Sequence, residues 1–254
     1  MADLRAGAGL ADAVVERLAA EARADPDTVG LVLTGSRAAG TADAASDFDV
    51  VWVLADDAFD ARVASDGQQR KEGGVDRIFQ TARRLEELAG QEHWARPTFI
   101  GARVVFDRGG GLAALLERVV TYPPEEAPRV AFDAYDAYLN GFVRSVRAWQ
   151  KGEELGARLH ASESVAWLVK ALFALEGRVA PYHDRLSVDA LAPLRGQGWQ
   201  PDELRAGFLE VARDAAPARQ QELERRVEAV MEARGVRAHA DWGEQLERLK
   251  AARF

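Results

Sequence analysis

The stretch from Leu31 to Leu54, LVLTGSRAAGTADAASDFDVVWVL, limits what this chain can fold into more than any other. An apolar run ends at Gly35-Ser36, ten mostly small residues follow, and a second apolar run opens at Asp47-Phe48-Asp49. Short β-branched runs bounded by turn residues read as buried strands, here Val29 to Thr34 and Phe48 to Leu54. The connection has room for one or two helical turns, from Arg37 to Ala44. Side chains alternate along a strand, so Asp47 and Asp49 project from one face as a pair of carboxylates. A Gly-Ser turn ahead of a short helix offers backbone N–H groups and a hydroxyl to a phosphate. A phosphate turn beside paired carboxylates suits a metal-bound polyphosphate.

The rest of the first half supplies partners for those strands. Apolar residues at Leu10, Val14, Leu18 and Ala22 mark an amphipathic helix that stops at Asp25-Pro26. Phe59 to Gln69 is loosely helical. Gly73-Gly74 introduces a third strand, Val75 to Gln80, which carries Asp76. Arg83 to Ala89 reads as helix, Ala102 to Asp107 as a fourth strand, and Leu112 to Val120 as a helix after a triple glycine. Strands alternating with helices predict an α/β or α+β domain with a mixed β-sheet and flanking helices, and with the helical half that follows the expected class is α+β. TYPPEEAPRV, residues 121–130, punctuates the chain with three prolines. Beyond it the strand signal gives way to helical periodicity, in segments 130–150, 156–175, 184–194, 201–213, 220–233 and 242–252. The expected organisation is therefore a mixed-sheet domain over 1–121 and an all-α helical bundle over 129–254, which the resemblance named below would make a catalytic and a substrate-binding domain.

The whole-chain balance narrows the chemistry. With 41 acidic and 33 basic side chains the chain carries a net −8, which disfavours non-specific nucleic-acid binding. It holds no cysteine, excluding disulfides, thiolate metal sites and cysteine nucleophiles. No run reaches the length of a membrane span, and the N-terminus lacks a basic-then-apolar signal pattern; the simplest expectation is a cytoplasmic protein.

Gly35-Ser36 followed after ten residues by Asp47-Phe48-Asp49, with apolar strands on both sides, resembles the signature of the nucleotidyltransferase superfamily. That superfamily has the polymerase β-like fold and includes two-domain enzymes that modify aminoglycoside and lincosamide antibiotics. Its signature usually adds a third carboxylate on a later strand, and Asp76 stands at that place. The resemblance implies a magnesium-dependent enzyme that moves a nucleoside monophosphate, AMP from ATP, onto a hydroxyl of a small-molecule acceptor, with antibiotic resistance as one outcome. Two Mg²⁺ ions about 3.5–4 Å apart would stabilise the attacking and leaving oxygens together. Asp47, Asp49 and Asp76 would be both catalytic groups and metal ligands, with Asp76 nearest the acceptor. Gly35, Ser36 and Arg37 would contact the nucleotide phosphates. By the same resemblance Lys170 and Tyr182, flanking ALFALEGRVAPYHDRL, would bind the nucleotide across a cleft. The implied partners are a nucleotide and a small acceptor, with no nucleic acid and no membrane; the oligomeric state is left open.

The residues also admit plainer readings. Asp-x-Asp at a strand start can be two solvated acids, Lys170 a solvated helix lysine, and Glu163 a surface charge. Tyr135, Tyr138, Phe142, Trp149 and Trp167 fall at helical spacing and read as core. Arg178 and His183 resemble the arginine–histidine spacing of HEPN-type ribonucleases, although Val179 replaces the usual polar residue. Two rival functions use the same site: AMP transfer to a protein side chain within a toxin–antitoxin pair, and a non-catalytic nucleotide-binding module.

Overall fold

The two apolar runs around Gly35-Ser36 become adjacent strands. β1 (Thr28–Leu33) and β2 (Phe48–Leu54) pair antiparallel, with Leu33 opposite Val50 and Leu31 opposite Trp52. β4 (Val75–Thr81) runs parallel to β2 on its other side, and β5 (Arg103–Asp107) pairs antiparallel with β1. A further strand, β3 (Gln69–Glu72), forms an antiparallel hairpin with β4. The sheet is mixed and five-stranded, in the order β3-β4-β2-β1-β5. This computed structural model describes residues 2–43 and 45–253. Ala44, the expected end of the short helix, and the Leu10 side chain lie outside what is described.

Alternation along the strands divides the apolar side chains between two layers. Leu31, Leu33, Val50, Trp52 and Phe79 meet Leu18 and Ala22 of α1 (Ala2–Ala24) and Phe59 of α3 (Asp56–Asp66). On the opposite face, Val32, Val51 and Val53 meet Leu85 of α4 (Ala82–Ala89) and Leu112, Leu115 and Val119 of α5 (Leu112–Val120). Each such side chain contributes about 1.5–3 kcal/mol when fully buried. Polar groups within the layers are paired. The Trp52 indole N–H donates to Thr28 Oγ1 at 2.6 Å, both buried. The Asp107 carboxylate accepts from the Gly110 and Leu112 amides, each at 2.9 Å, and so starts α5 after the triple glycine.

The chain separates into two compact units, Met1–Thr121 and Tyr122–Phe254. In the second, α6 (Ala127–Gln150) and α7 (Glu154–Leu175) pack together, followed by α8 (Pro201–Asp214), α9 (Pro217–Ala233) and α10 (Gly243–Ala251). Its core is a single apolar cluster that includes Tyr135, Tyr138 and Phe142. The architecture is α+β, a mixed sheet with flanking helices followed by an all-helical region. Among the described residues no helix is long and apolar enough to cross a membrane.

Three expectations need correction. Gln69 closes no helix: α3 ends at Asp66, and Gln69 begins β3. All four β3 residues are exposed and polar, so no alternation announces this edge strand. The helix expected over 184–194 is replaced by two 3-10 turns, His183–Arg185 and Ala192–Gln197. There Ser187 Oγ accepts from the Ala190 amide at 3.1 Å, and Pro193 disfavours an α conformation before it. Finally, Trp149 and Trp167 remain 39% and 37% exposed and stand at the rim of the core.

Candidate active site

The strand registers bring the singled-out acids into one row. Asp49 of β2 lies opposite Asp76 of β4, and Asp76 lies opposite Lys71 of β3. Directly opposed residues share a sheet face, so Asp49, Asp76 and Lys71 project together. Their face is the one that carries Val51, Val53 and Ile78. The apolar stretch is covered by α4 and α5, and the row marks the end of the strands beyond that stretch. Asp47 precedes β2, whose first amide, that of Phe48, donates to the Gly74 carbonyl at 2.9 Å.

Gly35 sits against this row for a reason only glycine meets. Its φ is +70°, and a Cβ built there would lie 2.0 Å from Asp49 Oδ2 and 2.9 Å from Asp49 Cγ. The Asp49 carboxylate therefore rests on the bare backbone at the start of α2 (Gly35–Ala39). The Thr34 amide donates to the Asp49 carbonyl at 2.8 Å, which ties the turn to β2. The Ser36 carbonyl accepts from the Thr41 amide at 2.9 Å, closing the helical turn.

Arg37 is spent on the loop. Its Nε donates to the Ser46 and Asp47 carbonyls at 3.1 and 3.2 Å, and a terminal nitrogen also reaches Ser46. The guanidinium lies 4.0 Å from the centre of the Phe48 ring. In this arrangement Arg37 orients the segment that delivers Asp47.

Two residues that the sequence reading passed over complete the cluster, and both stand on β3. Lys71 Nζ is 2.5 Å from Asp47 Oδ2. The hydrogen bond to Asp47 and the charge of that carboxylate hold the Lys71 pKa above its ordinary value, with Asp76 and Asp49 adding to the pull. Gln69 Nε2 donates to both Asp76 oxygens, at 3.0 and 2.8 Å. A signal for them was present in Gly73-Gly74. Both glycines have positive φ, 57° and 75°, as a two-residue hairpin turn demands, and the four residues before them pair as β3 with β4.

The donors are hard carboxylate oxygens, the type that magnesium and manganese take. Among the described residues, however, no three His, Asp or Glu side chains converge closely enough to hold an ion. An ammonium and an amide stand among these acids instead. Asp47, Asp49 and Asp76 are the carboxylates of this row that could contribute to holding a metal, and Lys71 and Gln69 now occupy their oxygens.

The remaining expected residues belong to the second unit. Lys170, on α7, lies with its Nζ 5.5 Å from the Trp167 ring centre, and Tyr182 lies under the Arg185 guanidinium at 5.6 Å. Glu163 faces His160 Nδ1 at 3.3 Å.

No protein-family model matches this chain, and no curated protein matches it at a significant level. A solved structure described as a nucleotidyltransferase-like protein from Exiguobacterium sibiricum 255-15 aligns with 87% of this chain and 73% of its own. The TM-score is 0.45 and the sequence identity 11%, so the chain is similar to that protein in outline only.

Proposed function

We propose that this chain is a metal-dependent nucleotidyltransferase that moves a nucleoside monophosphate, AMP from ATP, onto a hydroxyl of a small acceptor. The observation that carries this reading is the contact of Gly35 with Asp49, beside the in-register pair of Asp49 and Asp76. The glycine turn that starts α2 and a row of carboxylates are then side by side, the pair of elements that transfer through a metal-bound polyphosphate needs.

In this reading Asp47, Asp49 and Asp76 hold Mg²⁺, which when bound neutralises charge on the phosphates and on the leaving pyrophosphate. Gly35 admits the β- and γ-phosphates to the backbone, and the Ser36 hydroxyl donates to them. Asp76, at the outer end of the acid row, takes the proton of the attacking hydroxyl as the bond from oxygen to the α-phosphorus forms. Arg37 keeps the 40–47 segment against Phe48 so that Asp47 enters the row. Lys170 and Tyr182 are assigned to the nucleotide by the family resemblance alone, as charge and stacking partners. An aminoglycoside-like antibiotic is the acceptor that the same resemblance suggests.

The test is pyrophosphate release from ATP with Mg²⁺ and a panel of aminoglycosides and lincosamides. Release that depends on one acceptor and falls by about 10²-fold or more in both Asp49→Ala and Asp76→Ala supports the reading. Undiminished turnover in those variants, at native thermal stability, removes it.

A further inference from the structure

We infer a second, anion-binding site on the helical unit, in the groove beside the α6–α7 hairpin. The groove is open and has a volume of about 450 Å³. Arg144 and Arg147 line it from one face of α6, where residues three apart are neighbours, and Lys151 lines it from the residue that caps the helix. His160 of α7 and Trp242 also line it. Glu153 is the one carboxylate on its lining.

In a chain of net charge −8, three fixed cations around one carboxylate make a local reversal of sign. Their partners do not cancel it. Arg144 Nε donates to the neutral amide oxygen of Asn140 at 2.9 Å, and the Arg147 and Lys151 side chains make no hydrogen bond or ion pair among the described residues. Several other exposed arginines of this unit are matched to acids one turn away, as in the Arg129–Asp133, Arg158–Glu154 and Arg248–Glu244 pairs. A cation near the end of α6 also complements the helix dipole. That would account for Lys151 or Arg147 alone, and not for Arg144 a turn earlier; His160 on the neighbouring helix has its own partner in Glu163.

Like charges one turn apart repel, so the arrangement is weakly unfavourable until an anion bridges them. Two or more phosphate-type groups on one small molecule fit it best. Several cations can then be engaged at once, and Trp242, tethered through its indole N–H to Asp136 at 2.7 Å, offers a fixed wall. The site is independent of the carboxylate row and needs no metal.

Isothermal titration of the full chain with inorganic tripolyphosphate, in metal-free low-salt buffer, tests it. Binding at about 1 mM or tighter that weakens steeply with added salt is expected. Arg147→Glu with Lys151→Glu should weaken it at least about ten-fold, and Asp49→Ala should leave it unchanged. No heat of binding, or equal affinity in the double charge-reversal variant with native circular dichroism, overturns the site. A single-stranded RNA oligonucleotide binding there more than ten-fold tighter than tripolyphosphate overturns the small-anion assignment. Loss of turnover in Asp49→Ala with anion binding intact separates this site from the proposed active site.

Discussion

Replacing Gly35 with alanine tests the geometry on which the proposed site rests, and Gly40 provides an internal control. The two glycines have nearly the same backbone conformation, φ +70° and +73°. A left-handed alanine costs about 1–2 kcal/mol, and that part is common to both substitutions. The surroundings differ. A Cβ at Gly40 meets nothing within 4 Å, whereas at Gly35 it falls 2.0 Å from Asp49 Oδ2. The Asp49 side chain must leave its position, adding roughly 0.5–1.5 kcal/mol if it is driven off a rotamer minimum. Gly35→Ala should therefore cost about 1.5–3.5 kcal/mol and Gly40→Ala about 1–2 kcal/mol. At roughly 4 °C per kcal/mol, the first unit should melt about 6–14 °C and 4–8 °C lower, respectively. Scanning calorimetry reads the stabilities, and pyrophosphate release reads the site. Gly35→Ala should abolish turnover and Gly40→Ala should retain it within about two-fold, since only the former displaces a carboxylate. Equal destabilisation of the two variants with turnover retained in both would refute the contact between Gly35 and Asp49 as the organising feature.

Three further outcomes follow from particular side chains. Lys71→Met frees Asp47 of its ammonium partner; because Lys71 is 62% exposed the gain is modest, about two- to five-fold tighter Mn²⁺ binding by titration calorimetry. Weaker Mn²⁺ binding would mean that Lys71 supports the acid row. Thr28→Val strands the buried Trp52 N–H and should destabilise the first unit by about 1–3 kcal/mol in denaturant titration; an unchanged midpoint would show that the indole has another acceptor. In the second unit Glu224 is buried, accepts from the Tyr135 hydroxyl at 3.0 Å, and is pushed up to about 8, chiefly by desolvation. Its folded-state pKa lies above its unfolded value, so its contribution is complete below about pH 4.5 and is lost as pH rises through about 8. The second unit should thus lose on the order of 4 kcal/mol across that window, and Glu224→Gln should flatten the profile; identical pH profiles would remove Glu224 as the cause.

Much of this architecture was legible because local rules and burial agree. β1, β2, β4 and β5 carry β-branched alternating residues that only a two-sided sheet layer can bury, and α6 and α7 carry long apolar faces. Where burial gives no pattern, the reading failed. β3 is four exposed polar residues, and residues 184–194 carry helical spacing that Pro193 and a Ser187 turn override. Trp149 and Trp167 show the same limit, because spacing places a residue on a face and leaves its depth undetermined.

By itself the sequence determined that Gly35, Asp47, Asp49 and Asp76 would stand at strand ends, since period-two alternation and glycine's freedom are local properties. Their assembly is a matter of register: parallel pairing of β2 with β4 sets Asp49 opposite Asp76, and the β3 hairpin brings Lys71 into the same row. Register depends on which face is buried across the whole sheet, information no single strand contains. Tertiary structure alone also turned Arg37 onto Ser46 and Phe48, and gathered Arg144, Arg147, Lys151 and His160 from two helices around one groove.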